Sequence, residues 1–194
     1  MKTCSKLILA LMAAVFIIAG CAVEDDDNGY DPVADYTTCN NSGSHIYRGV
    51  WSVDGVLADS CVVEIRGAGQ VEFNPMPWQA LLRQTEMREY VGSKTSPVKL
   101  VGAASASFAY MPTGYSANVS YYNMEAQDFD FECTLQGITH QMHVKISGMP
   151  VLVADYQKGT VTAKFTVKDI YDGEQSIMAS GKEPISITFQ ANMK

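Results

Sequence analysis

An all-β, antiparallel domain is the fold class this sequence predicts, and three observations predict it. Apolar and polar residues alternate with period two along most of the chain from Tyr47 onward. Turn-forming pairs and triplets interrupt that alternation about every ten residues, the spacing of a barrel or a two-sheet sandwich. The strands are apolar on one face only, which belongs to antiparallel sheets, whereas buried parallel strands read as continuous apolar runs.

The elements follow in order. Tyr47–Val53 and Val56–Arg66 flank Asp54-Gly55, a strong two-residue hairpin signal. Gly67-Ala68-Gly69 then leads to Gln70–Asn74. Between Pro77 and Glu89 the pattern changes, with Trp78, Leu81, Leu82 and Thr85 at helical spacing. Leu81 and Leu82 would point to opposite faces of a strand, so a short amphipathic helix is expected near 78–88, over an open end or edge of the sheet. Ser105–Met111 and Tyr115–Asn123 flank Pro112-Thr113-Gly114, read as a turn. On the second of these strands Tyr115, Val119 and Tyr121 are expected inward, and Tyr122 outward beside Ser116, Asn118 and Ser120.

The later strands alternate more cleanly. Phe129, Phe131, Cys133 and Leu135 interleave with Asp128, Asp130, Glu132 and Thr134. His140, Met142, Val144 and Ile146 interleave with Gln141, His143, Lys145 and Ser147. Val161, Ala163, Phe165 and Val167 make a third such strand, and Ile185, Ile187, Phe189 and Ala191 a fourth. Gly137, Gly148 to Pro150, Lys158-Gly159 and Asp172-Gly173 are the expected turns. About 8–10 strands result, in one domain over 45–194. Apolar faces along nearly every strand favour a barrel over a sandwich.

The N-terminal segment has a different character. Lys2 and Lys6 precede the apolar run Leu7 to Ile18, which at 12 residues is short of the roughly 20 needed to span a bilayer. Ile18-Ala19-Gly20-Cys21 follows. Small residues before a cysteine at the end of such a run resemble the bacterial lipobox. That resemblance implies a signal peptide over 1–20 and a lipidated Cys21 as the mature N-terminus, anchored by several acyl chains at roughly 0.8 kcal/mol per buried CH₂. Glu24 to Asp27 form an acidic run similar to the surface-export signal of Bacteroidetes lipoproteins. Residues 21–44 read as a flexible acidic tether, about 25–30 Å long on average. An outer-membrane lipoprotein exposed on the cell surface is the expected location, with a periplasm-facing orientation as the alternative.

Charge narrows the partners. The chain has 194 residues and a net charge of −7, with 47% hydrophobic residues, too many for a disordered chain. Losing the two lysines of 1–20 takes the charge to −9. Six acids then lie in the tether, and the part from Tyr36 onward carries only −3. Nothing here supplies the clustered Lys and Arg that nucleic acid requires.

The residues that carry chemistry give little. Beyond Cys4 and Cys21 the cysteines are Cys39, Cys61 and Cys133, without the C-x-x-C spacing of a zinc site, and free thiols are favoured slightly over a disulfide. His140 and His143 fall on opposite faces of one strand, so they do not grip one metal. Cys133 and His140 face each other across the Gly137 turn, but nothing in the sequence near them activates a thiol. Asp128, Asp130 and Glu132 stripe one strand face about 7 Å apart. That spacing would suit a glycosidase pair or a calcium site, and a solvated face is its ordinary meaning. G-x-S-x-G, P-loop and G-x-G-x-x-G patterns do not occur, and no cofactor is implied.

The aromatic residues remain. Tyr110, Tyr115, Tyr121 and Tyr122 cluster around one hairpin, and an outward Tyr122 among small polar residues would suit a sugar ring or a partner's pocket. Tyr122, Trp78 and Tyr110 are therefore the candidate ligand-binding residues. Gly49-Val50-Trp51 on the first strand resembles the G-x-W of lipocalin-type, calycin-like barrels, which implies a Trp51 plugging the barrel base. Tether and β-domain together are similar to small cell-surface lipoproteins of gut Bacteroidetes. The function expected first is a non-catalytic binding module for a glycan or an apolar small molecule. An assembly subunit binding other envelope proteins is the alternative, and an envelope hydrolase ranks third. A wide cavity would favour the first, and a filled core with exposed apolar patches or edge strands the second.

Overall fold

The computed structural model describes residues 44–66, 69–95, 97–181 and 184–193. The lipobox, Cys21, the acidic run and Cys39 lie outside them. Eleven strands form one antiparallel sheet: β1 (Ser44–Val53), β2 (Val56–Arg66), β3 (Gln70–Asn74), β4 (Lys99–Val101), β5 (Ala106–Ser116), β6 (Val119–Met124), β7 (Phe129–Leu135), β8 (Ile138–Asp155), β9 (Thr160–Asp172), β10 (Gln175–Ser176) and β11 (Ile185–Asn192). Eight of them close on themselves in the order β1-β2-β3-β5-β6-β8-β9-β11, and β11 pairs back with β1. Each barrel strand is next to its neighbours in chain order, so this is an up-and-down barrel of lipocalin-like type. Closure leaves the barrel itself without an edge.

The other three strands are insertions. β7 pairs with the first half of β8, β4 pairs with β7, and β10 pairs with the end of β9. They extend β8 and β9 into a flap at one end of the barrel. The described residues begin at the other end, where Ser44 opposes Arg66. One helix, α1 (Trp78–Leu82), and a 3₁₀ turn at Glu86–Glu89 lie in the connection between β3 and β5. The 3₁₀ turn starts where Thr85 accepts a hydrogen bond from the Met87 N–H. The helical stretch is thus shorter than the expected 78–88 and breaks at 83–85.

An eight-stranded barrel has an interior just wide enough for side chains to fill, and here aromatic rings fill it. Trp51, Phe73, Phe108, Phe165 and Phe189 come from five different strands and are all buried. Their ring centroids lie 5.1–5.9 Å apart, in tilted and edge-on contacts. Trp51 also donates its indole N–H to the Pro75 carbonyl at 2.8 Å. Gly49 lets β11 come this close: a Cβ there would sit 2.2 Å from the Gln190 carbonyl oxygen and 2.7 Å from the Phe189 ring. The G-x-W segment therefore works as a packing device, with room made by glycine for the ring beside it. Trp78, Leu81 and Leu82 of α1 and the inward residues Phe129, Phe131, Met142 and Val144 of the flap belong to the same buried cluster.

Two expected turns are not turns. Pro112-Thr113-Gly114 lies inside β5, where Thr113 makes a bulge opposite Pro112↔Tyr122 and Gly114↔Tyr121. The hairpin reverses at residues 117–118 instead. Gly148 to Pro150 lies inside β8, where an irregularity separates Ser147 from Val151. There β8 exchanges β7 for β6 as its neighbour on one side.

Candidate functional site

The shifted hairpin overturns the expected faces of β6. Ser120, Tyr122 and Met124 turn inward, and Tyr121 is exposed. Tyr122 is half-buried and meets Tyr110 edge-on at 5.4 Å. Tyr110 is buried, and its hydroxyl donates to the Arg66 carbonyl at 3.3 Å. Trp78 is buried on α1 with its ring 6.3 Å from Phe131. Trp78 and Tyr110 are thus buried in packing contacts, and the half-buried Tyr122 packs against Tyr110 instead of standing outward beside Ser116 and Asn118. Met124, on the same face as Ser120 and Tyr122, is buried.

The flap sorts its side chains by strand parity. Phe129, Phe131 and Cys133 turn inward, while Asp130 and Glu132 turn to water. His140 and His143 lie on opposite faces, as expected. On the outer face His143 sits among acids: Nδ1 lies 2.6 Å from Asp130 Oδ1, and Nε2 lies 3.4 Å from Asp128 Oδ2. Asp128 also accepts the Ile146 N–H at 2.8 Å, which fixes it against the irregular part of β8. Gln141 donates to Glu132 at 3.4 Å. Lys145 covers the neighbouring Tyr171 ring, 4.5 Å from its centroid.

A groove of about 550 Å³ opens on this face. β4 stops at Val101 beside it, and the chain turns away at Gly102, whose φ is 72°. Val101 and Ala103 border it on one side and Gly173 on the other, with Asp130, Glu132 and His143 between. The acidic stripe was visible in the sequence. The groove was not, since its lining comes from β4, β7, β8 and the turn at Gly173.

The inner face carries a second arrangement. Cys133 pairs directly with His140, and His140 Nδ1 lies 2.6 Å from Asp172 Oδ2. The residue types match a thiol–imidazole–carboxylate triad. The environment does not, because Cys133 is fully buried. Burial and then the Asp172 charge push its thiol up to about 11, away from the thiolate a nucleophile requires. Among the described residues no hydrogen bond links its sulfur to His140. Cys61 is likewise a buried free thiol, which burial pushes up to about 12.

A second groove, of about 480 Å³, lies on the outer barrel wall. Met111 and Met149 flank it, 72% and 63% exposed, over Ala109, Met124 and Ala126. Among the described residues no group of three His, Cys, Asp or Glu side chains is placed to hold a metal ion. Comparison with known proteins gives no matching family model, curated protein or solved structure.

Proposed function

We propose that the protein is a lipid-anchored lipoprotein of the outer membrane, exposed on the cell surface, whose β-domain is a non-catalytic docking module for other envelope proteins. Cys21 is the anchor, on the strength of its lipobox setting. One observation carries the docking half: five buried aromatic rings pack against one another inside the barrel, while the two grooves described above lie on its outer surface. A lipocalin-style apolar ligand would have to displace Trp51 or its neighbours. The exposed Met111–Met149 groove and the short flap edges instead suit a partner protein, since exposed apolar patches and open edges mark interaction sites. Methionine suits such a surface because its side chain adapts its shape.

A glycan is the second reading, favoured by the polar lining of the flap groove. A photo-crosslinking residue at Asn123, at Asp130 and at Ser60 on another wall, each in intact cells, separates the two. Protein adducts of defined mass at Asn123 or Asp130, absent at Ser60, support docking. A carbohydrate adduct at Asp130 alone favours the glycan. Adducts that are the same at all three positions, or none, would overturn the docking module.

A further inference from the structure

The flap has an incomplete edge. β4 pairs with β7 only through Lys99↔Thr134, Leu100↔Cys133 and Val101↔Glu132. β7 continues past this to Phe129, and among the described residues no strand follows it there.

Parity shows which backbone groups are left over. Leu135 and Ile138 flank the two-residue turn Gln136-Gly137, whose φ values are 52° and 82°. Residues flanking such a turn form a hydrogen-bonded pair. The pairs two and four residues further on, Cys133↔His140 and Phe131↔Met142, are then hydrogen-bonded as well. The even-numbered residues of β7 therefore direct their N–H and C=O away from β8. Those of Thr134 and Glu132 meet β4. Those of Asp130 meet no strand, because Ala103, the residue due opposite, has left the ladder after Gly102. Asp130 thus leaves a donor and an acceptor at the sheet edge, and it is also one of the residues that line the groove of about 550 Å³.

The side chains give the chemistry of what would fit. Asp128, Asp130 and Glu132 follow one another on the outer face. His143 and the Ile146 N–H hold one or both oxygens of the two aspartates, and Asp130 Oδ2 and Glu132 Oε2 have no protein partner among the described residues. Of the lysines on neighbouring strands, Lys99 pairs opposite Thr134 at the far end of β4, and Lys145 is engaged with Tyr171. A strand laid beside Asp130, beyond the end of β4, has the same two-residue repeat on each face, so its outer side chains would lie opposite Asp130 and diagonal to Glu132.

We infer that the open edge of β7 at Asp130 accepts an extended basic segment of another protein as an added strand. Asp130 supplies two backbone hydrogen bonds in the place that β4 vacates. Asp130 and Glu132 select lysine or arginine on the outer face of the incoming chain. This is strand addition to a sheet edge, with main-chain bonds for affinity and side chains for specificity. The inference rests on the docking role proposed above and names the partner's chemistry at one of its two grooves.

The test uses the full chain in detergent and three synthetic octapeptides. One alternates Val and Lys, one alternates Val and Glu, and the third is the Val–Lys peptide N-methylated on alternate residues. Fluorescence titration measures affinity, and amide exchange by nuclear magnetic resonance reads the Asp130 N–H. The Val–Lys peptide should bind and slow Asp130 exchange at least tenfold. The Val–Glu peptide should not bind, and N-methylation should weaken binding roughly tenfold through the lost backbone bonds. Equal binding of the methylated peptide, an unprotected Asp130 amide, or no Val–Lys binding would overturn the added strand. Crosslinking at Asn123 is independent of this edge, so a protein adduct there alongside a failed peptide titration would leave the docking role standing and remove only this inference.

Discussion

The indole N–H of Trp51 donates to the carbonyl of Pro75 across 2.8 Å, tying the first barrel strand to the start of the connection that holds α1. Trp51 is wholly buried and touches Phe73, Phe165 and Phe189. Trp51→Ala should therefore cost about 3–5 kcal/mol in urea unfolding. Trp51→Phe keeps most of the packing and loses the hydrogen bond, and should cost less than Ala. A loss under about 1 kcal/mol for Trp51→Ala would mean the ring is not in the core.

Gly49 makes room for that packing. Gly49→Ala places a methyl group 2.2 Å from a backbone oxygen, so β11 must move, and a cost of about 1–3 kcal/mol or more is expected. Gly114→Ala is the control, since a Cβ there meets nothing within 4 Å. It should change stability by less than about 0.5 kcal/mol. Equal effects at the two positions would contradict the close approach of β1 and β11.

The inward register of β6 separates two adjacent tyrosines. Tyr122→Ala removes the partner of Tyr110 and should destabilise by about 1–3 kcal/mol, whereas Tyr121→Ala should cost under about 1 kcal/mol. The reverse order would restore the outward Tyr122 that alternation alone suggests.

That pair also shows how much was legible in the sequence. The antiparallel all-β class, the Asp54-Gly55 hairpin, the limits of β2 and β3, and the opposite faces of His140 and His143 follow from local rules, whereas closure into a barrel rather than the alternative sandwich depends on β11 meeting β1. The β5–β6 hairpin does not, because Pro112-Thr113-Gly114 has the composition of a turn and is used as a bulge. Gly148 to Pro150 misleads for the same reason within β8. His140 meeting Asp172, and the groove beside the end of β4, join residues from separate strands. No local pattern contains them, although the acids and histidines themselves stood out.

Both described thiols are pushed up by burial, Cys61 to about 12 and Cys133 to about 11. The folded protein holds these protons more tightly than the unfolded chain. The resulting stabilisation is complete below the ordinary thiol value of 9.0 and is lost as pH rises from there through about 11 and about 12. Between about pH 8 and about pH 10.5 the urea midpoint should fall more steeply for the protein than for a Cys61→Ala, Cys133→Ala double variant. Parallel slopes would contradict the burial. Neither thiol should react with iodoacetamide in the native protein at neutral pH.

Cys21→Ser tests the anchor. The variant should leave the membrane fraction for the soluble fraction, and retention on membranes would sink the lipoprotein proposal.

Everything proposed for the outer surface depends on the barrel interior being full. The direct test is native mass spectrometry of the intact protein, purified from its own cells and then titrated with a long-chain fatty acid. The expected result is a spectrum without a stoichiometric apolar adduct, and no saturable uptake of the fatty acid. One tightly held fatty acid per chain, lost on Trp51→Phe, would contradict it, because the rings would then be the walls of a cavity rather than its contents.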